Sequence, residues 1–345
     1  MSFTQLASDD SVISSDAIIS PMWSGDITTL TTFFTSSIQE SSVPGTFYLD
    51  VYQTGSSLSN AEIQFSIAYG HISGSGSGYF NPQVLDKTPT RDIYGQFRSL
   101  IYGDENASFT FGTDDISKDI IVLSINRARF KESFNPGSLT LTLATGSNVI
   151  KLTDDSTVNS TATYIGTSRV YQLLSGSYDS IKSTTYTDSG SYGIMIPDEG
   201  LFILNPRALS LPVANGGLNV AWNEFSSSQV IAANPGYNYN NRKMFELISS
   251  SSLAQSFRLQ NYETISSRYF FIRVKNGDYN YTTNPTVIDS NGNLLYISLI
   301  YNPQTFITSV GMYNSSGDLV AVAKLNKPLV KDFTKELLLR VKLDF

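Results

Sequence analysis

The chain contains no cysteine and one histidine, His71, and only 15% of its 345 residues are charged. Without cysteine there is no disulfide framework, no thiolate metal site and no cysteine nucleophile. A single imidazole cannot build a histidine metal cluster, although a triad with Asp and Ser from elsewhere stays open. His71 stands beside Ser73-Gly74-Ser75-Gly76-Ser77-Gly78 and reads first as a structural residue at a strand end. No apolar run is long enough to span a bilayer, so no membrane partner is expected. Met1 leads into Ser, Thr, Gln and Asp instead of a basic segment followed by an apolar one, so no secretory signal is expected either. A protein made and assembled in the cytoplasm fits both readings. Basic residues are also few, 23 against 30 acidic, and the net charge of −7 argues against nucleic acid as a partner.

What is present in quantity is Ser, Thr, Asn and Gly, together with 20 Tyr and 20 Phe. That mixture suits strands and turns better than solvated helices. The length exceeds one usual core, so several domains or one elongated β-rich body are expected. The expected fold is mainly β, with antiparallel sheets, sandwich-like or meander, and a few short helices. The expected organisation is an arm over 1–25, a β-rich domain over 26–210, a loop-rich connection over 211–265 and an antiparallel meander over 266–345.

The meander carries the clearest pattern. Leu337, Leu339, Val341, Leu343 and Phe345 alternate with Glu336, Arg340, Lys342 and Asp344, the period of a half-buried strand, while Leu338 breaks the alternation. Strands are also expected over 268–275, 294–301, 306–313 and 319–325, with reversals at Asp289-Ser290-Asn291-Gly292-Asn293 and Asn314-Ser315-Ser316-Gly317-Asp318. Upstream, strands are expected over 45–52, 61–69, 119–130 and 139–143, and a hairpin of 191–196 with 201–205 around Pro197-Asp198-Glu199-Gly200. Residues 153–187 read as surface loops with weak strands. Helices are expected over 26–34, 242–250 and 90–102. The last has Ile93, Phe97, Leu100 and Ile101 at helical spacing and Gly103 as its stop.

Chemistry is harder to find. Asp9-Asp10, Asp114-Asp115 and Asp154-Asp155 are adjacent pairs, and neighbours on a strand point to opposite faces, so none is a ready acid/base dyad. Asp104, Glu105, Asp114 and Asp115 lack a twelve-residue calcium loop. The glycines at every second position over 74–78 match neither a dinucleotide fingerprint nor a phosphate loop. No catalytic residue, metal or cofactor is therefore expected. Candidate interaction residues are Arg91 and Arg98 on the helix, which could grip a neighbouring subunit, and Arg127 and Arg129. On a strand the latter two share a face, for an acidic partner or for local acids. Tyr237 and Tyr239 in an Asn-rich loop complete the set, with Phe345 at the terminus.

Asn302-Pro303-Gln304-Thr305-Phe306-Ile307-Thr308-Ser309-Val310-Gly311-Met312-Tyr313 and Leu319-Val320-Ala321-Val322-Ala323-Lys324-Leu325-Asn326-Lys327-Pro328-Leu329 resemble the C-terminal strands of virion structural proteins of contractile-tailed bacteriophages, in particular T4-like phages of cyanobacteria. Further similar stretches are Gln64-Phe65-Ser66-Ile67-Ala68-Tyr69-Gly70-His71, Asn126-Arg127-Ala128-Arg129-Phe130 and Gly190-Ser191-Tyr192-Gly193-Ile194-Met195-Ile196-Pro197-Asp198. The resemblance implies a non-enzymatic structural subunit of the tail, foremost a baseplate protein of the wedge type. Its partners would be other tail and baseplate proteins and further copies of itself. A neck or collar protein, or a receptor- or carbohydrate-binding fibre protein, is the alternative.

Overall fold

A computed structural model describes residues 4–36, 48–73, 89–113, 115–159, 161, 163–222, 240–250 and 257–344. Along the chain the strands are β1 (Ser11–Pro21), β2 (Thr29–Leu30), β3 (Phe34–Thr35), β4 (Tyr48–Tyr52), β5 (Ile63–His71), β6 (Asp119–Ile125), β7 (Ser133–Phe134), β8 (Thr140–Thr145), β9 (Asn148–Asp154) and β10 (Thr163–Ile165). They continue as β11 (Ser168–Ser177), β12 (Ser180–Ile181), β13 (Gly193–Ile196), β14 (Leu201–Leu204), β15 (Phe257–Arg258), β16 (Gln260–Val274), β17 (Thr305–Tyr313), β18 (Leu319–Lys331) and β19 (Leu337–Asp344). The α-helices are α1 (Pro89–Tyr102), α2 (Pro206–Ser210), α3 (Asn240–Ser249) and α4 (Ile297–Tyr301). The fold is mainly β with antiparallel sheets and short helices, the class its Ser, Thr and aromatic content leads one to expect.

Contacts divide the chain into two units, Ile18–Glu263 and Met1–Ala17 with Thr264–Phe345.

The larger unit holds a 13-stranded sheet in the order β2-β15-β8-β9-β11-β13-β14-β6-β5-β4-β3, with β10 and β12 added to β11. β11 serves both halves, pairing Leu173, Leu174 and Ser175 with β9 and Tyr171 and Gln172 with β13. One core joins residues of both halves, among them Leu141, Leu152 and Leu173 with Phe65, Leu123 and Phe202, so the sheet closes over itself as a sandwich does. Phe257 lies at its centre, 4.9 Å from Trp23, 5.4 Å from Phe65 and 5.8 Å from Phe202 between ring centroids. Its carbonyl accepts the Trp23 indole N–H at 2.9 Å. α3 adds Met244, Leu247 and Ile248 to this core.

A second core lies on the other face of β5, β6, β13 and β14, under α1. β6 therefore has apolar residues on both faces, Ile121, Leu123 and Ile125 toward one core and Ile120 and Val122 toward the other. Here α1 seats directly on β5, where a Cβ at Gly70 would come within 2.8 Å of the Tyr94 backbone nitrogen. The buried stripe of α1 is Tyr94 and Ile101 with Phe97 packed beside them. Leu100, expected inside, is 50% exposed, because the helix is rotated toward Tyr94, whose hydroxyl donates to the Ser117 carbonyl.

Three expectations are corrected here. Residues 26–34 form no helix, since Gly25 and Asp26 have positive φ and the Trp23–Ile27 bridge closes a tight loop before β2 and β3. The stretch 153–187 contains the ten-residue β11, with Val170, Leu173 and Leu174 buried. Strand β6 ends at Ile125, and 127–129 lie in a turn.

The smaller unit is built differently. β16 pairs with β19 over eight residues, from Ser267↔Asp344 to Val274↔Leu337, and with β1 on its other edge. β17 and β18 form a separate two-stranded sheet, so the expected sequential meander has a different strand order. The hairpin loop closes at Gly317, φ 85°, and the Asp289–Asn293 reversal at Gly292, φ 84°, both where the sequence places them. Residues 297–301, expected as strand, are the short helix α4. Buried apolar side chains among the described residues of this unit are Val274, Leu339 and Val341. A polar clamp supplements them: the fully buried Lys331 ammonium donates to the Asn276 carbonyl (2.9 Å), Asn280 Oδ1 (2.8 Å) and the Asp332 carbonyl (2.8 Å). All three of its N–H donors are thereby used.

Candidate functional site

The arginines singled out from the sequence are dispersed. Arg91 lies on the exposed side of α1. Arg98 is half-buried, its guanidinium 5.9 Å from the Tyr94 ring centroid. Arg127 folds back on its own turn, donating to the Phe130 and Lys131 carbonyls and lying 5.2 Å from the Phe130 ring centroid. Arg129 instead pairs with Glu62 at 3.2 Å and donates to Ser24 Oγ at 3.0 Å. The strand that was to place Arg127 and Arg129 on one face is absent, and the two point to different partners. Tyr237, Tyr239 and Phe345 lie outside the described residues.

Titratable groups likewise sit in structural roles. His71 Nδ1 accepts the Ser73 backbone N–H at 3.1 Å, and burial, with Lys118 nearby, lowers its pKa. Asp154 is fully buried and its pKa is raised by desolvation, although Ser156 Oγ and the Gly137 N–H both donate to its Oδ2. Its neighbour Asp155 accepts from the Gln172 N–H (3.0 Å) and from Asn159 Nδ2 (2.7 Å). Asp115 pairs with Arg207, and Asp114 lies outside the described residues. Among the described residues, no group of three or more His, Cys, Asp or Glu could hold a metal ion, and no helix is long and apolar enough to cross a membrane.

What distinguishes the molecule is a surface. In the smaller unit Leu295, Tyr296, Ile297, Ile300, Tyr301 and Phe306 follow closely on one another and are all exposed, Tyr301 by 86% and Ile297 by 70%. β18 is open on one face and partly covered on the other: Val320 and Val322 are 67% and 62% exposed, while Ala321, Ala323 and Leu325 are half-buried. Opposite them on β17, Val310 faces Ala323 and Met312 faces Ala321, both half-buried. Isolated exposed apolar residues are ordinary, but a contiguous group of them marks an interaction site. Sequence reasoning missed this surface, although its signal was present. The run Leu319-Val320-Ala321-Val322-Ala323 is apolar on both faces, the mark of a strand covered twice, and the described residues cover only one of the two, in part.

Comparison of the chain with protein-family models, with curated proteins and with solved structures finds no match in any of the three.

Proposed function

We propose that the protein is a non-enzymatic structural subunit of a contractile bacteriophage tail, a baseplate protein of the wedge type that touches several other virion proteins. The observation that carries this reading is the strand β18, apolar on both faces over Leu319–Ala323 and exposed at Leu319, Val320 and Val322. A surface of that kind costs solubility unless a partner covers it, and a subunit inside a fixed assembly has such partners. The same strands, β17 and β18, carry the resemblance to phage tail proteins.

The test is proteomic and structural: purified particles, tails and isolated baseplates are compared by mass spectrometry, and the particle is reconstructed from electron images. Enrichment in baseplates, with the smaller unit against neighbouring proteins, is the expected result. Absence from the particle would overturn the reading.

A second reading, a receptor- or carbohydrate-binding fibre protein, draws on the exposed Tyr281, Tyr296 and Tyr301, whose rings are suited to stacking on sugars. Saturable retention on host surface glycans, with the protein at the outer end of a fibre, would favour it.

A further inference from the structure

The two edges of the β17–β18 hairpin are not alike. β18 carries Lys324, Lys327, Pro328 and Lys331, the residue types that discourage strand addition. Its line is also broken, because the ladder steps from Ile307↔Leu329 to Ser309↔Lys324 and leaves residues 325–328 opposite Thr308 alone. β17 has neither proline nor charge from Thr305 to Tyr313, and no strand other than β18 pairs with it among the described residues. Its outer edge is an unguarded template for another strand.

The sequence of that edge is close to self-complementary. About a two-fold axis through Ser309, an antiparallel second copy would place Ser309 opposite itself, Thr308 opposite Val310 and Phe306 opposite Met312. These are a hydroxyl pair, a pair of β-branched residues and an aromatic ring beside a thioether, each a favourable cross-strand combination. Charge agrees. The smaller unit has nine Lys and Arg against nine Asp and Glu, so the whole −7 falls on Ile18–Glu263. Contact through the smaller unit therefore brings no net like charge together, whereas contact through the larger one would.

We propose that a second copy of this chain pairs with β17 along residues 306–312, antiparallel and across a two-fold axis, joining two hairpins into one sheet in the order β18-β17-β17-β18. A two-stranded sheet alone is marginal in water, and three or more strands are needed for independent stability. The pairing meets that requirement. The inference deepens the assembly reading, on which it rests for the reason the surface is uncovered, by naming one partner.

Thr308 and Ser309 are exposed, so charges placed there leave the subunit fold intact, which circular dichroism verifies. Sedimentation velocity of the purified chain is expected to show a concentration-dependent dimer. The double variant Thr308→Lys/Ser309→Lys is expected to be monomeric, as is Thr308→Glu/Ser309→Glu, because each puts like charges opposite one another. Mixing the two is expected to restore the dimer, now as a Lys–Glu heterodimer. A wild-type chain that stays monomeric at the highest concentration reached, or a Lys variant that dimerises as well as wild type, would overturn the proposal. A monomer found in purified tails would sink this pairing and leave the tail reading standing, while a dimer of a chain absent from tails would do the reverse.

Discussion

The two units solve the problem of stability in opposite ways. In Ile18–Glu263 both faces of β6, β13 and β14 are covered, and residues as bulky as Trp23, Phe65, Phe202 and Phe257 are fully buried. Among the described residues of the other unit, the buried apolar side chains are Val274, Leu339 and Val341, each adding roughly 1.5–3 kcal/mol. Its order comes instead from the β16–β19 ladder, the Lys331 clamp and side-chain-capped turns such as Asn314–Asp318. A region with a dry core is complete by itself. The other leaves Phe306, Val320 and Val322 in water, and in the proposed assembly a partner covers them.

The largest effect expected from breaking this contrast is at Phe257. Phe257→Ala removes the ring that Trp23, Phe65 and Phe202 enclose and is expected to destabilise the larger unit by about 3–5 kcal/mol, measured by urea denaturation. Loss of less than half of that would mean the core collapses around the gap. Lys331→Met comes next. It takes the donor from the buried Asp332 carbonyl and from the half-buried Asn280 Oδ1, at about 1–3 kcal/mol for an orphaned buried group, while the Asn276 carbonyl keeps the Asn280 Nδ2–H. Proteolysis is expected to open the smaller unit while the larger one keeps its melting temperature.

Acid should separate the units by sign. Burial raises the pKa of Asp154, so ionising it costs more in the folded chain than in the unfolded one. That penalty is full at neutral pH and is relieved as pH falls through the raised value toward 3.8. Asp332 moves the other way, to about 2, held down first by the Thr334 hydroxyl and then by Lys335. Its contribution is present above 3.8 and is lost as pH falls to about 2. Wild type is therefore expected to gain stability relative to Asp154→Asn on acidification and to lose it relative to Asp332→Asn. Parallel curves for either pair would contradict the assignment. The smallest effect is expected at Phe306→Ala, within about 0.5 kcal/mol for the isolated chain, yet with clearly weakened self-association in sedimentation.

Much of this contrast could be read from the residues. The alternation through Leu337–Asp344 gave β19, the Pro197-Asp198-Glu199-Gly200 turn gave the β13–β14 hairpin, and Gly103 marked the end of α1. These are local signals. What the sequence hid was pairing over distance: β2 exists because Leu30 pairs with Phe257, and no local pattern announces so remote a partner. β11 was missed because its Ser, Gly and Gln residues resemble a loop, while its burial is imposed by neighbours on both sides. α4 was mistaken for a strand because Leu294 to Tyr301 is almost wholly apolar, and an apolar run without period fits either state. Arg127 and Arg129 were chosen for spacing along a strand that stops at Ile125, whereas the exposed surface needed one further step, asking what covers a strand apolar on both sides.

Hydrogen exchange tests the central claim most directly, with the chain held dilute and then concentrated above its association range. Amides of the core strands Asp119–Ile125 and Thr140–Thr145 are expected to be equally protected in both samples, because their unit is complete. Amides of residues 306–312 are expected to exchange rapidly when dilute and to become protected on concentration, as β17 gains its second neighbour. Equal and strong protection of 306–312 at both concentrations would contradict the account, since the smaller unit would then need nothing beyond itself.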